Sequence, residues 1–219
     1  MSKTETNYTI DEIRESEWIE VADLTARAIP NALISKLGNR FGARFYRKIV
    51  QQEYSCGYVA RNSSGNVVGV IIGSADYPEA RSTAIKEQLL KLVITANFRL
   101  ISWSFINWVI KGVVAKAKGE KKTHKDKPSA ELIAVAVRPE AQGTGLAQKL
   151  VEKMETFMLS KNLSGPYAIL TEKANITANR FYKKIGATFV KTSTYHGREI
   201  NEWDKVITLT IHNENRYSY

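Results

Sequence analysis

In 219 residues the chain has a single cysteine, Cys56. No intramolecular disulfide can form, which favours a reducing compartment. Three scattered histidines accompany it, too few and too far apart to form a zinc-ligand set with that one thiol; no metal is expected. A long apolar run is also lacking. The best candidate, Leu100 to Ile110, is interrupted and falls short of the roughly 20 predominantly apolar residues that a membrane span needs. Residues Met1 to Asn7 are polar and hold no signal-peptide apolar core, so a cytoplasmic location is expected. Acidic residues are outnumbered, 22 against 32 basic ones, giving a formal net charge of +10. Much of that excess sits at Lys111, Lys116, Lys118, Lys121, Lys122, Lys125 and Lys127, with no aromatic residues between them and no nucleic-acid motif around them. The run reads first as a solvated loop and second as an attractor of phosphorylated ligands; no nucleic-acid partner is expected.

What is present is concentrated in Glu131 to Ala147, which reads as a buried strand, a turn broken at Pro139, a loop carrying Gly143 and Gly145, and a helix start. Such an order aims main-chain N–H groups and the positive end of a helix dipole at whatever lies above the loop, which suits phosphate. Without a Cβ, the two glycines let the backbone come close and take positive φ. The phosphate loop of nucleotide hydrolases is excluded, because no Gly-Lys-Ser/Thr follows. The dinucleotide fingerprint fits poorly, because its third glycine position is Gln148. What remains is Gln142-x-x-Gly145-x-Ala147 after a strand ending in Val137-Arg138-Pro139.

That pattern resembles motif A of the GCN5-related N-acetyltransferases (GNAT), where the loop holds the pyrophosphate of acetyl-coenzyme A. A second segment agrees with it. Asn175, Ala178, Phe181, Tyr182, Gly186 and Ala187 stand at the spacing of motif B of the same family. That segment is also a sound helix on its own terms, with Asn175 as N-cap, Ile176, Ala178, Phe181 and Ile185 as an apolar stripe, and Gly186 at the position after the cap. The resemblance covers 130–190 best and thins toward the N-terminus.

The resemblance implies one α/β domain over 1–219. Its centre would be a mixed, mostly antiparallel twisted sheet of about seven strands flanked by helices. Strands are expected in 8–14, 57–61, 67–74, 130–137, 166–172, 187–195 and 200–209, the last two joined at His196-Gly197. Helices are expected over about 16–28 and 31–52, the latter on Leu33, Leu37, Phe41, Phe45 and Ile49. Residues of about 79–128 exceed the minimal family pattern and read as a two-helix insertion, 80–95 and 98–118. The second of these helices would cover the acceptor pocket and form a homodimer or pack on the sheet, would lie on a membrane surface, or would be a plain core helix.

The resemblance further implies an N-acetyltransferase that uses acetyl-CoA as co-substrate and transfers the acetyl group directly to a small primary amine. Val135, Ala136 and Val137 would bond the pantetheine arm from a strand that splays from its neighbour. Gln142, Gly143, Thr144, Gly145, Leu146 and Ala147 would take the diphosphate. Asn175 would cap its helix and touch the pantetheine. Tyr182 would be the general acid toward the leaving thiolate. Glu131, eleven positions before Gln142, would be the general base, and the strand period of two would put it on one face with Ile133 and Val135. Asp76, Glu79 and Glu172 are alternatives for that role. An amino sugar is the first choice of acceptor; amino acids, polyamines, protein amines, or a non-catalytic coenzyme A-binding role are the alternatives.

Overall fold

The computed structural model describes residues 7–95, 129–163, 165–195 and 197–207, with backbone alone over 87–95. The chain opens with β1 (Thr9–Glu12), a 3-10 turn (Glu15–Glu17) and α1 (Trp18–Ala28), then α2 (Leu33–Lys36) and α3 (Asn39–Val50). The hairpin β2 (Ser55–Arg61) and β3 (Val67–Ser74) leads into α4 (Tyr77–Thr95). Beyond residue 128 come β4 (Glu131–Val137), a 3-10 turn (Pro139–Ala141), α5 (Leu146–Ser160) and β5 (Pro166–Glu172). The chain continues through α6 (Ile176–Lys184), β6 (Thr188–Tyr195) and β7 (Arg198–Val206). The helix expected over 98–118 and the turn residue His196 lie outside the described residues.

The single helix expected over 31–52 is in fact two. Gly38 takes φ 86°, outside the helical range, and breaks the run ahead of Asn39. The four-residue spacing still buries Phe45 and Ile49 beneath α3, so the apolar stripe is real and only its continuity fails.

Seven strands form one sheet in the order β1-β2-β3-β4-β5-β7-β6. Every neighbouring pair is antiparallel except β4 with β5. Each face carries its own core. On one side α5 lays down Leu146, Leu150, Met154 and Met158, at steps of four residues, against Ile71 and Leu132. A Cβ added to Gly73 would stand 2.4 Å from Met154 Sδ, so glycine here is what lets α5 lie this close to β3. On the other side α1 and α3 press Val21, Leu24, Phe45 and Ile49 against Val59, Val70 and Ile72. From Gly69 to Gly73 the alternating sides of β3 divide the two cores.

Two bulges interrupt the pairing of β3 with its neighbours. One, between Ala60 and Arg61, ends the β2–β3 hairpin. The other lies in β4: Ile72 pairs with Ala134 and Gly73 with Leu132, so Ile133 is the extra residue.

Candidate active site

The sheet opens in its middle. β4 and β5 pair only at Glu131 with Ala168 and at Leu132 with Ile169, beside a 2.8 Å bond from Ala168 N–H to the Ala130 carbonyl. Beyond that point each strand keeps its outer neighbour: β4 stays with β3 as far as Val137, and β5 with β7 as far as Glu172. The two therefore part like a V, starting where the Ile133 bulge bends β4. The gap forms part of a cleft of about 1530 Å³, lined by residues 131–137 of β4 and by Leu170, Thr171 and Glu172 of β5. Val135, Ala136 and Val137 all lie along it.

The bulge corrects one expectation. Simple alternation puts Glu131, Ile133 and Val135 on one face. Instead Val135 pairs with Ile71 and Glu131 with Ser74, three residues further along β3. Cross-strand partners share a face and an odd separation changes it, so Glu131 and Val135 point to opposite sides. Val135 packs with the α5 core; Glu131 belongs to the α1–α4 side.

Above the wide end of the gap lies the glycine loop. Gly143 and Gly145 have φ of 75° and 86°, and a Cβ on either would meet nothing within 4 Å. Backbone conformation therefore demands glycine here, and the space over the loop is open. The α5 ladder begins with Gln148 and Lys149, whose N–H groups both reach the Gly145 carbonyl, at 3.0 and 3.2 Å. The N–H groups ahead of them, on Leu146 and Ala147, are those a helix leaves unpaired within itself at its start; Gly143, Gly145, Leu146 and Ala147 all line the cleft. Gln142 differs from expectation. Its main-chain N–H is spent on the Pro139 carbonyl at 3.2 Å, and its side-chain amide donates to the Val137 carbonyl at 3.0 Å. It braces the loop to the end of β4, as Thr144 does by donating from Oγ1 to the Ala141 carbonyl at 2.8 Å. Gly145→Val forces a β-branched residue into a left-handed conformation, at a cost of about 1–3 kcal/mol. The expected result is a Kd for coenzyme A raised about tenfold or more in titration calorimetry, with the fold retained. An unaltered Kd would remove this loop from the site.

The third wall is α6. Asn175 caps it, its Oδ1 accepting from Ala178 N–H at 3.0 Å, and it also lines the cleft. The helix buries Tyr182, with Ala178, Phe181 and Ile185 packed against the core, whereas Ile176 is 55% exposed; the stripe runs through Tyr182 instead of Ile176. The Tyr182 ring lies 5.5 Å from that of Phe181, and burial pushes its phenol above the ordinary tyrosine value. Asn179 carries no motif signature yet ties this wall together. Its amide donates to the carbonyls of Glu172 (2.9 Å) and Asn175 (2.8 Å), and its Oδ1 accepts from Asn201 Nδ2 (2.8 Å) and Trp203 Nε1 (3.1 Å).

Of the carboxylates weighed for the base, Glu131 and Glu172 line the cleft. Asp76 and Glu79 serve the start of α4: Asp76 Oδ1 accepts from Glu79 N–H at 3.4 Å, and Glu79 accepts from Thr83 Oγ1 at 3.4 Å. Glu172 is a bracket, with one oxygen ion-paired to Arg198 and the other accepting from Asn31 Nδ2 at 3.2 Å. It thus joins β5, β7 and the α1–α2 loop across the cleft. Beside Glu131 stands Tyr77, whose phenol is pushed up by burial first and by the Glu131 charge second, against a smaller opposing pull from Arg81. Tyr77, Arg81 and Ile85 recur at four-residue steps along the cleft side of α4. That spacing was visible in the sequence; that it faces a cleft was not. Among the described residues no three His, Cys, Asp or Glu side chains gather into a metal-ligand set, and no helix is long and apolar enough to cross a membrane.

Residues 18–187 match the family model described as the Acetyltransferase (GNAT) family. A search of curated proteins by sequence finds no match. Among solved structures, SsHAT superposes with a TM-score of 0.63 at 16% identity, over 92% of this chain and 98% of the other. The spermidine N-acetyltransferase from Vibrio cholerae, solved in complex with CoA and spermine, gives 0.55 at 12% identity, over 91% and 95%. The ribosomal-protein-S18-alanine N-acetyltransferase from Escherichia coli gives 0.52 at 15% identity, over 97% and 100%. At these identities the likeness is one of fold.

Proposed function

The chain belongs to the GNAT acetyltransferase family, and from that premise we propose that it transfers the acetyl group of acetyl-CoA to a primary amine of a small molecule by direct attack. One observation carries the reading: the β4–β5 gap, the open glycine loop and the buried Tyr182 border a single cleft. Acetyl transfer needs the thioester held, the amine neutral, the oxyanion met by a donor and the thiolate protonated. Main-chain groups of Val135–Val137 and of Gly143–Ala147 hold the coenzyme, the first as a strand would and the second as a helix start holds phosphate. Asn175 stands where the pantetheine arm passes between these two regions. Tyr182 keeps its proton and offers it to the thiolate as the bond breaks; a free thiol has a pKa near 8.5.

Direct attack is favoured over a covalent acetyl-enzyme. Cys56, the chain's one thiol, is buried in β2 and absent from the cleft lining, and burial pushes it up to about 12. It offers no thiolate near the acyl carbon. For the base, Glu131 is the carboxylate at the narrow end of the V. An amino sugar is the first acceptor class to try, with amino-acid, polyamine and protein amines as the alternatives. A non-catalytic role is disfavoured because Tyr182 stands ready in the cleft.

The test is thiol release from acetyl-CoA across a panel of amines, with coenzyme A affinity measured at low salt. Binding with amine-dependent release supports the reading; no measurable affinity overturns it. Glu131→Gln should lower the plateau of kcat/KM or raise its apparent pKa, by up to about two to four orders of magnitude in rate for a lost general base. An unchanged pH profile assigns that proton to another group.

A further inference from the structure

The acceptor half of the cleft carries charge of both signs in one small region. Glu131 pairs with Ser74 at the end of β3, and α4 starts three residues later at Tyr77. The start of α4 is fastened to the approach of β4, since Tyr77 N–H donates to the Ser129 carbonyl at 2.9 Å. Arg81 lies one helical turn beyond Tyr77 on the same side, and Ser82 and Ile85 continue that wall. Tyr77, Arg81 and Glu131 all line the cleft, and the Tyr77 phenol feels the charges of both of the others. The other arginine on the cleft wall, Arg198, is already ion-paired to Glu172. Arg81 is exposed and has no ion pair with a described residue.

We propose that Arg81 is a specificity-determining residue that selects an acceptor carrying an anionic group, carboxylate or phosphate, on the same small molecule as the amine. The inference deepens the acetyltransferase reading and rests on it. The guanidinium fork matches the two oxygens of either anion. With the anionic end at Arg81 and the amine beside Glu131, the molecule spans the wall made by Tyr77, and the amine is directed toward the narrow end of the V. Tyr77 is a positioning residue here: it lines the cleft together with the two charged residues, and its hydroxyl would donate to the acceptor's anionic group. A neutral or purely cationic amine would offer the Arg81 guanidinium no anionic group to bind.

The experiment compares wild type, Arg81→Gln and Arg81→Lys on matched acceptors: glucosamine with glucosamine 6-phosphate, and alanine with alaninamide. In wild type the anionic member of at least one pair should have kcat/KM about 10- to 100-fold above its neutral partner, the size of one charge-assisted hydrogen bond. The phosphate and carboxylate arms identify which anion is meant. Arg81→Gln should abolish the preference, mainly through KM, and Arg81→Lys should restore part of it. The KM of the anionic acceptor should rise with ionic strength in wild type and stay flat in Arg81→Gln, a response that a structural role for Arg81 would not produce. Equal or better use of the neutral partners, or a preference that survives Arg81→Gln, overturns the assignment and leaves the acetyltransferase reading standing. Coenzyme A binding without acetylation of any acceptor, anionic ones included, overturns both.

Discussion

Tyr182→Phe should reduce kcat by about one to three orders of magnitude while leaving the affinity for coenzyme A nearly unchanged. The substitution removes one oxygen from a ring that is only 6% exposed. Its ring contact with Phe181 is retained, as is the main-chain bond from Ala187 N–H to the Tyr182 carbonyl at 3.0 Å. The wall keeps its shape and loses its donor. On the proposed reading the diphosphate is held by the loop at 143–147, so binding and turnover should separate in this variant. The direction of the phenol shift sets the pH dependence. Burial raises the folded pKa above the ordinary value of about 10, and the active form is the protonated one. Activity due to Tyr182 should therefore persist to about pH 10 or beyond and fall only at higher pH. A steady-state thiol-release assay across pH reads both effects. Equal kcat in the two proteins, or an alkaline limb near pH 8 that vanishes in the phenylalanine variant, would exclude this role for the residue.

The glycine loop and the helix of Tyr182 were legible in the sequence because they depend on local rules. Positive φ at Gly143, Gly145 and Gly186 and an N-cap at Asn175 leave residue-type signatures at fixed spacing. The splayed strands were implied by resemblance alone; no residue in β4 announces that pairing with β5 stops after two positions. The bulge at Ile133 was illegible for the same reason. An extra residue in a strand of Leu, Ile, Ala and Val changes no residue type, yet it moves Glu131 to the opposite face from Val135. Gly38 shows the reverse case. The apolar period of 31–52 outvoted a glycine whose φ of 86° divides the helix. The proposed acceptor wall was hidden because Asn31, the first turn of α4 with Tyr77 and Arg81, and Arg198 come from three distant parts of the chain and meet only in the folded protein.

The largest stability effect is expected far from the chemistry, at Arg61. Its side chain is 3% exposed and grips Glu17 with two bonds, Nε to Oε1 at 2.8 Å and Nη2 to Oε2 at 2.7 Å. Further bonds reach Asp11 at 3.2 Å and the Glu12 carbonyl at 3.0 Å, so one guanidinium ties β2 to β1 and to the turn that starts α1. Arg61→Met leaves the buried Glu17 carboxylate without its ion-pair partner, holding only the Arg14 N–H bond at 2.7 Å, and should cost about 3–5 kcal/mol in denaturant unfolding at pH 7. Arg61→Met with Glu17→Met should recover much of that loss, because removing both charges removes the desolvation penalty too. The sign of the pH dependence follows from Glu17. The Arg61 hydrogen bond, outweighing burial, holds its folded pKa below the ordinary carboxylate value of 4.5. The pair therefore stabilises fully above the unfolded value and loses its contribution as pH falls through the folded one. The gap between wild type and Arg61→Met should thus shrink in strong acid. A gap that stays constant from pH 7 to about pH 2 would mean that packing of the arginine stem, rather than the ion pair, sets the cost. The site is expected to notice either way. The same turn sets where α1 begins, and the chain from Ala28 to Leu33 at the end of α1 lines the cleft.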